Sequence, residues 1–140
     1  MEWAFVLFLC ICTCLPVAAK PIEQLADGRY IFASQLPKTD RHPDIQLAGA
    51  EVYAFEKTDR NLLGEIFIAN SSEASCFVGR VSQNLIQGKA IIAEYPQRQV
   101  INFTKDLSDF YPVSPQLLPY ARSSVERCRP VFVGHNNLRP

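Results

Sequence analysis

The chain predicts a mainly β fold: an antiparallel meander curled into a small barrel or half-barrel, with one C-terminal α-helix. Three observations carry this. Between residues 62 and 93 lie three short runs rich in Ile, Val and Phe, separated by Asn-Ser-Ser-Glu-Ala-Ser and by Ser-Gln-Asn, the rhythm of strands joined by short turns. Each run holds one glycine (Gly64, Gly79 and Gly88), and a glycine inside a strand marks a bulge or a tight bend where a sheet coils. Further on, Leu117, Leu118, Ala121, Val125 and Cys128 recur at helical spacing.

The N-terminus reads as an address. Residues 4–15 form an apolar run shorter than the roughly 20 residues that a membrane span needs. Pro16 and then Val17-Ala18-Ala19 place small residues at the −3 and −1 positions of a cleavage site before Lys20. Residues 1–19 are therefore expected to be a secretory signal peptide, although Met1-Glu2-Trp3 supplies no basic side chain; an uncleaved anchor is the alternative. The expected product is exported, periplasmic or extracellular, with no membrane span. It forms one domain over residues 20–134 and a polar tail over 135–140. Cleavage removes Cys10, Cys12 and Cys14 and leaves Cys76 and Cys128, an even pair in an oxidising compartment, expected to form a disulfide.

Taken in order, residues 20–26 are a lead-in, and Ala26-Asp27-Gly28 is a turn. Residues 29–34 read as a first strand, with Tyr30 and Phe32 on one face and Arg29, Ile31 and Ala33 on the other. Residues 35–46 carry two prolines and no period, which is a loop. A second strand over 47–57 alternates Tyr53 and Phe55 with Val52 and Ala54. The third (62–69) sets Gly64, Ile66 and Ile68 against Leu63, Glu65 and Phe67. Cys76 opens the fourth, and residues 85–93 make the fifth. Residues 99–103 offer a sixth strand and 106–112 a connector. Ser114-Pro115 has the form of a helix start, giving a helix over about residues 115–128; since proline fits only a helix's first turns, a start near Pro119 is the alternative. Val131-Phe132-Val133 suggests a short edge strand.

Charge excludes some functions. The whole chain has 14 basic and 14 acidic residues, so loss of Glu2 leaves 14 − 13 = +1. No basic stripe points to nucleic acid. Asp40, His42 and Asp44 form D-x-H-x-D, whose alternate residues in an extended segment could reach one cation. Only His42 and His135 could serve as an imidazole base, there is no G-x-S-x-G, and Glu51, Glu56, Glu65 and Glu94 occupy the polar positions of amphipathic strands. The sequence points away from an enzyme and implies no cofactor. Tyr30, Phe32, Tyr53, Phe55, Phe67 and Phe77 could line a ligand cavity or simply fill it. Arg80 would need an anionic partner, such as Glu65 or a ligand, if its face were interior. Asn70-Ser71-Ser72 and Asn102-Phe103-Thr104 match the glycosylation acceptor pattern.

The series Gly28-x-Tyr30-x-Phe32, Tyr53-x-Phe55-x-Lys57, Cys76-Phe77-x-Gly79-Arg80 and Asn84-x-Ile86-x-Gly88 resembles small exported β-proteins of cyanobacteria that have no known activity. The strand rhythm also looks loosely like lipocalin and avidin meanders, with Tyr30 where lipocalins carry a G-x-W tryptophan. The resemblance implies a bacterial exported protein and brings no functional residues. The expectation is a binding or structural protein whose partner is a small apolar ligand or another exported protein. A lipocalin-like carrier and a hydrolase with an unrecognised site are the alternatives.

Overall fold

The computed structural model describes residues 19–93 and 98–133. The expected signal peptide up to residue 18, with its three cysteines, Glu94 and the expected tail with His135 lie outside the described residues. Seven strands follow one another: β1 Gly28–Ala33, β2 Glu51–Thr58, β3 Asn61–Ile68, β4 Ala74–Ser82, β5 Leu85–Ala93, β6 Arg98–Asp106 and β7 Tyr111–Pro112. All pair antiparallel in one sheet of order β6-β5-β4-β3-β2-β1-β7, so β6 and β7 are its edges and the sheet does not close. The expected antiparallel meander with a C-terminal helix is the fold. The two-residue hairpins Asp59-Arg60 and Gln83-Asn84 place Asp59 and Gln83 at φ 56° and 55°, the left-handed turn geometry that matches strand twist.

The sheet is strongly coiled. On a flat sheet β6 and β2, four strand spacings apart, would lie roughly 19 Å from each other. Yet Lys105 Nζ on β6 donates to Glu51 Oε2 on β2 at 2.7 Å. The face that curls inward carries Tyr30, Phe32, Tyr53, Phe55, Phe77 and Phe103, as strand alternation places them. Ile22, in a 3-10 turn over Ile22–Gln24, plugs this face from the lead-in; its N–H donates to Asn84 Oδ1 at 2.9 Å. The opposite face carries Ala33, Val52, Ala54 and Phe67 and packs on Leu118 and Ala121.

Every strand pair keeps an unbroken register. The glycines therefore mark no bulge. Gly79 and Gly88 face each other across β4 and β5, and Gly64 faces Phe77 across β3 and β4. They are the points where coiling brings backbones too close for a Cβ.

The helix starts at the later of the two expected positions. Residues 115–117 only turn. A 3-10 stretch starts at Pro119 (Pro119–Ser123) and leads into α1, Ser124–Val133. Residues 131–133, expected as a strand, are its last turn; Pro130 is exposed, so water can satisfy the carbonyl its ring leaves unbonded. The connector supplies β7 instead. Residues 47–50 turn before β2, and the 35–46 loop contains a 3-10 turn over Pro43–Ile45. Cys76 of β4 and Cys128 of α1 are bonded, with Cα atoms 5.3 Å apart and a sequence separation of 52. In the chain-entropy model a loop of that length is worth ~4 kcal/mol.

Candidate functional site

The inner aromatic face is a packed core. Phe77 is 0% exposed and Phe55 1%. Phe77 meets Tyr53, Phe55 and Phe103 edge-on at centroid distances of 5.8, 6.4 and 5.7 Å. Phe32 stacks on Phe55 at 6.0 Å, Tyr30 tilts against it at 6.1 Å, and Phe110 from the post-β6 loop caps Tyr53 at 5.6 Å. These rings occupy the space that a carrier would keep for its ligand. Phe67 does not belong with them: it shares the parity of Glu65, points to the helix side, and meets Tyr120 at 5.1 Å. Burial and the Glu51 carboxylate push the Tyr53 phenol far above the ordinary tyrosine value, so it stays protonated and donates to Glu51 Oε1 at 3.1 Å.

Beneath the helix sits a polar cluster that the sequence did not single out. Glu65 on β3 is 4% exposed. It accepts from Arg127 Nη2 at 2.6 Å, Ser124 Oγ at 2.7 Å and Tyr120 Oη at 3.1 Å. The Arg127 guanidinium also lies 3.8 Å from the Tyr120 ring centroid, a cation–π contact. Burial disfavours the Arg127 charge, but hydrogen bonding and attraction to Glu65 outweigh it and hold the guanidinium above its usual value. Burial, then the Glu65 charge, raises the Tyr120 phenol. All three donors come from one helical segment, so the cluster orients that segment on the sheet. Arg80, considered as an interior cation with Glu65 for partner, is exposed on the outer side of β4.

A second, exposed cluster joins the helix to β1 and β2. Arg29 Nη2 lies 2.5 Å from Glu126 Oε1, and Arg129 Nη2 donates to Glu56 Oε1 at 2.8 Å. Hydrogen bonds from Arg129 and Arg29 respectively hold the Glu56 and Glu126 carboxyls below the usual glutamate value of 4.5. Both groups bind protons more weakly folded than unfolded. Their stabilisation is complete above about pH 4.5 and disappears as pH falls through the lower folded values. Thermal midpoints are expected to drop between about pH 5 and pH 3, and Glu56→Gln should make that fall shallower; an unchanged slope would remove the cluster from the acid response.

The D-x-H-x-D segment is not extended. Pro43 starts a 3-10 turn that His42 caps, its Nδ1 accepting from the Asp44 N–H at 3.4 Å and lying 3.2 Å from Asp44 Oδ2. Both side chains are more than 70% exposed. Among the described residues no three His, Cys, Asp or Glu groups come together as a cation cage.

Among the described residues, two surface clefts flank residues 117–125. One, of about 360 Å³, lies between the β3–β4 turn and the segment before α1. Phe67, Leu117, Leu118 and Tyr120 give it an apolar wall, and Asp44 and Glu73 flank it. Asn70, at φ 60°, fixes the turn by donating from Nδ2 to the Asp44 carbonyl at 3.0 Å. The other cleft, of about 300 Å³, runs between β1 and α1, bordered by Tyr30, Phe55, Val113, Arg122 and Val125. Neither is lined by histidine or cysteine. Compared with protein-family models, curated proteins and solved structures, the chain matches none.

Proposed function

We propose that this chain is an exported binding protein that engages a protein partner through the cleft formed by Phe67, Leu117, Leu118, Tyr120 and the β3–β4 turn. The observation that carries this reading is the contrast between a filled aromatic interior and an open, aromatic-walled cleft on the outside. The filled interior speaks against a carrier that encloses its ligand. An apolar wall with Tyr120 exposed at its rim, beside Asp44 and Glu73, suits an apolar side chain followed by a basic residue, as in an extended peptide segment. Export and the bacterial resemblance belong to the same proposal; the disulfide and the lack, among the described residues, of a helix able to cross a membrane are compatible with them.

The test is an amide chemical-shift titration with two short peptides, each carrying one leucine flanked by lysine or by glutamate. The lysine peptide is expected to shift Phe67, Ser72, Glu73 and Leu118. Glu73→Lys should reverse the preference. Shifts confined to other surfaces, or none with either peptide, would overturn the reading.

A further inference from the structure

We propose that two copies of this chain join their sheets through β6, paired antiparallel about a twofold axis at Asn102. β6 is a sheet edge of nine residues, and all but Phe103 and Lys105 are exposed. Val100 is 46% and Ile101 39% exposed. Long apolar edges recruit further strands, so proteins blunt them with proline, bulges, short length or an inward lysine. The other edge is blunted in this way: β7 has two residues, one of them Pro112. β6 has no proline and no bulge, and its inward Lys105 is held by Glu51 and lies over the Phe110 ring.

Backbone phase decides which groups are free to pair. The Leu107 N–H donates to the Asn84 carbonyl, which makes this residue pair a hydrogen-bonded one. Alternation along the ladder then assigns Gln99, Ile101, Phe103 and Lys105 to β5 and aims the N–H and C=O of Arg98, Val100, Asn102, Thr104 and Asp106 outward. A register with Asn102 opposite its own copy uses all the outward groups. It sets Val100 against Thr104 and Arg98 against Asp106, and symmetry repeats the charge pair at the other end. Moving the axis to Ile101 sets Arg98 against Thr104, and moving it to Phe103 sets Asp106 against Val100. Only the Asn102 axis joins the opposite charges. This contact does not depend on the cleft proposed above, which lies at the β3–β4 turn.

Sedimentation velocity of the mature, oxidised chain between about 10 μM and 1 mM at low salt is expected to show a monomer–dimer equilibrium. Amide exchange at Val100, Asn102 and Thr104 should slow with concentration. Asn102→Pro removes an outward N–H and none of the β5 ladder, so it should abolish the dimer and keep the monomer's spectrum. Arg98→Asp and Asp106→Lys should each weaken self-association by about tenfold or more. An equimolar mixture of the two variants should restore it. At one end of the mixed dimer the introduced aspartate meets the introduced lysine, and at the other the native Asp106 of the first variant meets the native Arg98 of the second. A strict monomer at the highest concentration, or a dimer indifferent to Asn102→Pro, would overturn the proposal. So would a mixture no tighter than its components when both remain folded by circular dichroism.

Discussion

Gly64→Ala and Gly88→Ala are each expected to abolish folding at ambient temperature. A Cβ on Gly64 would sit 2.1 Å from the Ala54 carbonyl oxygen and 2.6 Å from Phe55 Cα. One on Gly88 would sit 2.1 Å from the Val78 oxygen and 2.7 Å from Gly79 Cα. The obstructing atoms are backbone of neighbouring strands, held on both sides by the ladder, so relief requires parting the sheet where it coils. Breaking that pairing exposes Phe55 and Phe77 together, and the cost should exceed ~5 kcal/mol, comparable to the whole stability of a domain of this size. Gly79→Ala is the milder control. Its Cβ would meet the Gln87 oxygen at 2.8 Å and the movable Ile86 Cγ2 at 3.2 Å. The measurement is soluble yield with near-ultraviolet circular dichroism and urea unfolding. A cooperative transition within ~1 kcal/mol of the parent for Gly64→Ala would show that the strands can separate without loss of the fold.

Those glycines also show how far the sequence could be read. Their spacing located a coiled sheet, because a Cβ-free position in an apolar strand has few other physical reasons. Spacing could not distinguish a bulge from a close approach, since that depends on register, and the register proves continuous. Parity along the strands sets Tyr30 with Phe32 and Tyr53 with Phe55, but only the pairing register joins both pairs to Phe77 on one face. Phe67 belonged with Glu65 by parity and was grouped with the other rings only by its chemistry. The pair Cys76 and Cys128 was legible because the expected cleavage before Lys20 would take away every other cysteine. Glu65 was not. A glutamate in an alternating strand has the pattern of a solvated face, and only the helix arriving more than fifty residues later buries it. The helix start was legible as one of two positions: Ser114-Pro115 satisfies the local rules, but Pro119 fits only a first turn, and the coil begins there. The open β6 edge depends on pairing partners that no local pattern names.

After the two glycine substitutions, Glu65→Ala is expected to cost most, about 4 kcal/mol, because it removes one charge of a buried pair and leaves the other. Arg127 would lose its 2.6 Å partner, and Ser124, which is fully buried, would keep a hydroxyl whose acceptor has gone. Arg127 is itself one-third exposed and can turn toward water, which places the cost at the middle of the range for broken buried pairs and below its top. Glu65→Gln keeps an acceptor without the charge and should lose about 2 kcal/mol. Glu65→Leu combined with Arg127→Met removes both charges and should recover most of the loss, as apolar replacements of buried pairs do. Urea denaturation of the parent, Glu65→Leu, Arg127→Met and the double variant gives the coupling energy directly. If Glu65→Ala lay within ~1 kcal/mol of the parent, the disulfide, the apolar packing of Leu118 and Ala121 and the Arg29–Glu126 and Arg129–Glu56 pairs would be holding the helix on the sheet without it. If instead the loss appears even with the Cys76–Cys128 bond intact, the two devices act differently. The disulfide restricts the unfolded chain, whereas Glu65 sets which face of the helix meets β3, and so where Leu117, Leu118 and Tyr120 stand along the cleft.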